Sequence, residues 1–150
     1  MKPLLLILIS VGLLWLKSSL GKIASGNFVS NLGVTLGKTA EKNPYPFFKD
    51  FLTNVAIPNS QIFGFLVMWG EFLSAIAITL GAFLLLVNPK ANKLVVLMLI
   101  GGLIGGAFLN INFWFGFGYS NPSTDSLNLL MAVVEIIGVF TLLKNFTSNK

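Results

Sequence analysis

The chain has no cysteine and no histidine, and all ten of its basic residues are lysines. Without cysteine there are no disulfides, no thiolate metal or Fe–S ligands and no thiol redox chemistry. Without histidine there is no imidazole for haem and no use of the commonest general base. These absences leave no metal-ligand set. Charge is scarce too: 10% of the 150 residues are acidic or basic, against roughly 25% in a soluble domain.

What is present is apolar. Hydrophobic residues make up 55% of the chain and aromatics 13%, and the mean hydropathy is +0.84. This is the composition of an all-α integral membrane protein, expected to fold as one domain over 1–150. The lysines that give the net charge of +5 are scattered between apolar runs. No basic stripe forms, so they suit anionic lipid head groups rather than nucleic acid.

Apolar runs cover 3–20, 62–87, 94–117 and 127–143. A membrane span takes about 20 residues, so the runs predict a four-helix bundle whose first and last spans are minimal and whose second is tilted. The first run can also be read as a cleaved signal peptide, because Lys2 precedes an apolar core, although no clean small-residue cleavage site follows. Lys2, Lys90, Lys93, Lys144 and Lys150 fall on one side of such a bundle. Lys17, Lys22, Lys38, Lys42 and Lys49 fall on the other. The first set lies in short tails and a tight turn, where basic residues weigh most, which predicts a plasma-membrane protein with both termini cytoplasmic.

Residues 21–59 are too many for a simple connector. Within them Phe47, Phe48, Phe51, Leu52 and Val55 recur at helical spacing, opposite Lys49, Asp50, Thr53 and Asn54. An amphipathic helix in the membrane interface is expected here, either capping the bundle or acting as a lid.

Polar residues inside spans carry the functional information, because a charge at a helix centre costs about 2.5–3.5 kcal/mol on insertion scales. By chain parity, Trp15, Lys17, Lys22, Trp69, Glu71, Asn110, Asn112, Trp114 and Asn128 all belong to the half of the bilayer covered by the long loop. Glu135 lies near mid-depth, about 10 Å below Asn128. Asn128, Met131, Ala132 and Glu135 share one helical stripe, as do Gly102, Gly106, Asn110 and Trp114. Gly101 and Gly105 run beside the latter, and such glycines let helices approach closely. Gly64, Met68, Glu71 and Ala75 form a comparable stripe that turns Glu71 inward, with Lys22 as its expected partner. Lys17 suits snorkelling to the surface. Asparagines can be interhelical glue or caps as readily as ligand contacts, and Thr124 or Asp125 is the expected N-cap of the last helix.

Three segments carry a family resemblance: WLKSSLGKIASGNF at 15–28, NPYPFFKDFLTNVAIPN at 43–59 and FGFLVMWGEFL at 63–73. In these, about the first half of the chain, the sequence resembles the DoxX family of four-helix bacterial membrane proteins, related to the DoxD subunit of thiosulfate:quinone oxidoreductase. Many members carry an arginine in the first helix, where this chain offers Lys17 and Lys22. The resemblance implies a membrane subunit of a redox complex with quinone as its small molecule, and it points to Trp15, Lys22, Trp69 and Glu71 as site residues. Together with the residue pattern, it gives a leading expectation of a quinone-type ligand in a polar pocket. Glu71 and Asn110 would bond its oxygens, Lys22 would balance charge and Glu135 would relay a proton. Asn112, Asn128, Trp15, Trp69 and Trp114 complete the candidate set. Electrons would come from a partner subunit or a soluble substrate, so the chain is expected not to be an enzyme alone. Two other expectations stand beside it: a non-catalytic scaffold or assembly subunit whose polar residues only lock helices, and a small-solute or proton pathway through Glu71 and Glu135. Separately, the exposed glycines offer a surface for a homo-oligomer.

Overall fold

The computed structural model describes residues 1–89 and 92–148, with the side chains of 145–148 left aside. Lys90 and Lys150, two of the lysines used to orient the chain, lie outside the described residues. The described chain is all-α. Helix α1 is Lys2–Ser25, α2 Phe28–Lys42, α3 Pro46–Phe51, α4 Ser60–Val87, α5 Lys93–Phe117 and α6 Pro122–Ser148. A wide π-helical turn, Leu52–Ala56, follows α3, and a 3-10 turn, Gly118–Ser120, follows α5.

Local chemistry sets these boundaries. Pro3 stands in the first turn of α1, where a missing N–H costs nothing. The helix stops at Gly26, whose φ of 66° is open to glycine and whose N–H bonds the Ile23 carbonyl at 3.2 Å. Asn92 caps α5 by accepting from the Leu94 N–H at 3.2 Å. The cap of α6 is Asn121, whose Oδ1 accepts from the Thr124 N–H at 2.8 Å. It is neither Thr124 nor Asp125, because Pro122 starts the helix earlier than hydropathy implies.

Helices α1, α4, α5 and α6 are each long and apolar enough to cross a membrane, making this a membrane protein with four candidate spans among the described residues. The helices run past the apolar windows at both ends of the chain. The first is Lys2–Ser25 rather than 3–20, and the last candidate span is Pro122–Lys144 rather than 127–143. Neither is minimal. Outward side chains are apolar, with Leu94, Phe108 and Phe140 all about two-thirds exposed, as lipid contact requires.

In the core, α1 packs along α4, α4 along α5 and α5 along α6, while α1 meets α6 over a shorter stretch. Small residues set the close crossings. A Cβ at Gly81 would sit 2.8 Å from the Leu99 Cβ, and one at Gly102 only 2.7 Å from the Ala77 Cβ. Leu8, Ile78, Leu99 and Leu103 between these helices are fully buried.

Residues 21–59 hold more order than hydropathy reveals. Helix α2 buries Leu32, Leu36, Thr39 and Ala40 at spacings of four, three and one, and of these Leu32, Leu36 and Ala40 pack with Phe48, Leu52 and Ala56 into a second core. The helix expected over 43–59 is the short α3 with its π-turn. Phe48, Leu52 and Ala56 face inward there, while Phe47 and Val55 are exposed. The wide turn shifts the stripe away from regular 3.6-residue spacing.

Asn43 ties this layer to α5. Its buried amide donates to the Phe115 carbonyl at 2.9 Å and the Gly116 carbonyl at 3.4 Å, and its Oδ1 accepts from the Tyr45 N–H at 2.9 Å. Tyr119 adds a bond to the Thr39 carbonyl at 2.9 Å. Asn43→Leu strands these backbone groups and is expected to cost about 2 kcal/mol, read as earlier proteolysis of α2 and α3 at unchanged integrity of the long helices. Unchanged proteolysis would refute the tie.

Candidate functional site

Two buried carboxylates anchor the half of the molecule beneath α2 and α3. The first is Glu71 on α4, with no exposed surface. Lys22 of α1 places Nζ 2.8 Å from both of its oxygens. Ser18, one turn earlier on α1, donates to Oε2 at 3.0 Å and accepts from Nζ at 2.8 Å. Phe28 and Phe113 lie 5.4 and 5.9 Å from Nζ and shield it by cation–π contact. The ammonium thus directs its donors to three oxygens of its own chain. Ser18 is a member of this group that the sequence reading missed. Its i, i+4 spacing to Lys22 was the available signal.

The second is Glu135 on α6, also without exposed surface. Its Oε1 accepts from Trp15 Nε1 at 2.7 Å and its Oε2 from Asn110 Nδ2 at 2.8 Å. Side chains of α1, α5 and α6 therefore meet on one carboxylate. Gly106 makes the space: a Cβ there would overlap Oε1 and lie 2.9 Å from the Glu135 Cδ and 3.1 Å from Trp15 Nε1. Trp15 and Phe113 rings, with centroids 6.1 Å apart, bridge this group to the Lys22 group.

Beside both carboxylates lies an open cavity of about 1300 Å³. Its walls are chiefly apolar and aromatic, with Phe48, Phe51 and Leu52 above and Trp15, Phe113 and Met131 below. Leu14, Leu66, Phe108 and Leu127 line it and are also 44–66% exposed, so it opens onto the outer apolar surface of the helices. Lys17 and Lys22 supply its cationic atoms, and Ser18, Asn110, Asn112 and Asn128 much of the remaining polarity.

The nine candidate residues are therefore only partly gathered. Lys22 and Glu71 form one group and Trp15, Asn110 and Glu135 another. Glu71, Asn110 and Asn128 do not bond one another, although Asn110 and Asn128 both line the cavity, as does Lys22, the partner of Glu71. Asn110 spends an N–H on Glu135, while Asn128 bonds its own helix at the Thr124 carbonyl, 2.8 Å away. Asn112 likewise donates to the Phe108 carbonyl at 2.8 Å. Trp114 bonds Asp125 at 2.6 Å and closes the α5–α6 turn. Trp69 is 47% exposed and packs on Phe72 of its own helix. It does not line the cavity, because the stripe that turns Glu71 inward turns Trp69 out. No family model matches the chain, and neither curated proteins nor solved structures provide a match.

Proposed function

We propose that the chain is an integral membrane four-helix bundle of DoxX-like type, and a subunit of a membrane redox complex rather than an enzyme alone. In this reading α2 and α3 lie at the interface over the bundle, and both termini are cytoplasmic in the plasma membrane. The cavity takes a quinone-type couple or a similar small molecule with an apolar body. The observation that carries the reading is the cavity itself. Drug-sized ligands occupy roughly 300–1,000 Å³, so about 1300 Å³ of mainly apolar and aromatic space holds a ring and part of a tail. With no thiol or imidazole in the chain, electrons come from a partner subunit or a soluble substrate.

The geometry changes the division of labour. Glu71 is engaged by Lys22 and Ser18, so polar contact to a ligand falls to cavity-lining amides rather than to this carboxylate. A short-tailed benzoquinone, tested in its oxidised and its reduced form on protein in neutral detergent, is expected to raise the melting temperature by several degrees in at least one form. A flat titration with both forms overturns the reading.

A second reading is favoured by the two carboxylates, which both bond between helices. They can act solely as locks in an assembly subunit. Under that reading the protein co-purifies with partner chains from native membranes and gives no ligand-dependent shift.

A further inference from the structure

We propose that the cavity selects a neutral head group that donates hydrogen bonds: a hydroxyl-bearing amphiphile, and for a quinone couple the reduced hydroquinone form. This rests on the ligand-binding reading above and adds the polarity of the head.

Two observations support it. The first is the neutral wall formed by α1 and α4. Lys22 is the less exposed of the two lysines lining the cavity, and its Nζ stands 2.8 Å from Glu71 Oε1, Glu71 Oε2 and Ser18 Oγ. Its charge is balanced and its three donors are directed to those oxygens. The Ser18 hydroxyl donates to Glu71 in turn, at 3.0 Å. At Lys22 this wall offers no unmatched positive charge to an anion and no spare ammonium donor to a carbonyl, which leaves Lys17 as the other cation lining the cavity. Lys17, at the edge, is exposed to the surroundings.

The second is the opposite wall, formed by α5 and α6, where the amides of Asn110, Asn112 and Asn128 line the cavity. Their orientation is fixed by their partners. Nδ2 of Asn112 and of Asn128 bonds a backbone carbonyl, and Nδ2 of Asn110 bonds a carboxylate, each at 2.8 Å. A flipped amide would set oxygen against oxygen, so in each case the nitrogen faces the helix or Glu135. The three Oδ1 atoms accept no hydrogen bond among the described residues. Each amide therefore keeps two acceptor lone pairs and one N–H. Over Asn112 and Asn128, which keep exposed surface while Asn110 is buried, acceptor capacity is double donor capacity. An anionic head meets oxygens there, and an acceptor-only head finds half the partners that a hydroxyl finds.

The apolar exposure of Leu14, Leu66, Phe108 and Leu127 along the cavity edges gives such a molecule a route from the bilayer interior, where neutral amphiphiles partition.

The test uses full-length protein in neutral detergent and matched probes: a 4-alkylphenol, its methyl ether, and an alkyl phosphate of equal tail length. The short-tailed hydroquinone, kept reduced, is compared with its quinone. The phenol and hydroquinone are expected to bind about tenfold tighter than ether and quinone, the equivalent of one net hydrogen bond, and the phosphate not to bind. Asn128→Leu, which loses only a bond within its own helix, is expected to reduce that preference. Equal affinity for phenol and ether, or tight phosphate binding, overturns the inference while leaving a ligand-binding cavity in place. If no probe binds, the inference and the reading beneath it both fall.

Discussion

Lys22→Met is expected to be among the most destabilising single substitutions in this chain, costing about 3–5 kcal/mol. The reason lies with the residue left behind. Glu71 has no exposed surface, and without the ammonium its carboxylate keeps only the Ser18 hydroxyl, 3.0 Å away. A buried charge stripped of its counter-ion cannot recover that stabilisation from lipid or from the apolar side chains around it. The double variant Lys22→Met with Glu71→Met removes both charges and is expected to return to within about 2 kcal/mol of the native chain, since apolar replacement of a whole buried pair is often close to neutral. Thermal unfolding in detergent reads both. At a few degrees per kcal/mol, the single variant should melt on the order of 10 °C lower. A Lys22→Met protein as stable as the native chain, or a double variant worse than the single, would show that the pair does not hold α1 to α4.

Gly106→Ala is expected to rival it, at about 3–5 kcal/mol. One added methyl overlaps Glu135 Oε1 and approaches the Trp15 indole nitrogen within 3.1 Å, so the carboxylate must leave one or both donors. Asn110 and Trp15 then lose their acceptor in an apolar interior. At two other glycines of these helices the same change is benign. Gly21 and Gly101 have nothing within 4 Å of an added Cβ, and alanine gains up to about 1 kcal/mol over glycine in a helix. Gly21→Ala and Gly101→Ala are therefore expected to be neutral or slightly stabilising. If Gly106→Ala melts with these two controls, the three-helix junction at Glu135 is not what holds this region together.

How far the sequence discloses this structure differs from residue to residue. The inward turn of Glu71 and its pairing with Lys22 follow from helical spacing and from the cost of an unpaired carboxylate, and both are local arguments. The partners of Glu135 do not follow. Spacing put Asn110 on the right face of α5, but whether its amide reaches α4 or α6 depends on helix rotation, which a stripe of glycines leaves open. Gly102 faces Ala77 and Ile78 of α4, while Gly106, one turn on, faces Glu135 of α6. Trp15 is among the candidate residues, but nothing in its spacing says that its indole nitrogen donates to α6. Helix α2 escaped notice because its buried positions include Thr39 and Ala40, which barely raise hydropathy, although Leu32 and Leu36 mark the period. Asn43 carried no signal at all: its importance comes from the carbonyls at the end of α5 that it reaches, 72 positions away.

The Trp15–Glu135 bond joins positions 120 apart, and this bears on how the protein is made. Helices enter a bilayer in the order of synthesis, so α1, α4 and α5 arrive before the carboxylate that the indole of α1 and the amide of α5 need. Until α6 arrives, two donors stand unmet in the membrane interior, and the earlier helices lack the acceptor that fixes their mutual rotation. Helix α6 is thus the one that closes the architecture of these four helices, and a nascent chain waiting for it holds an unmatched polar surface inside the bilayer.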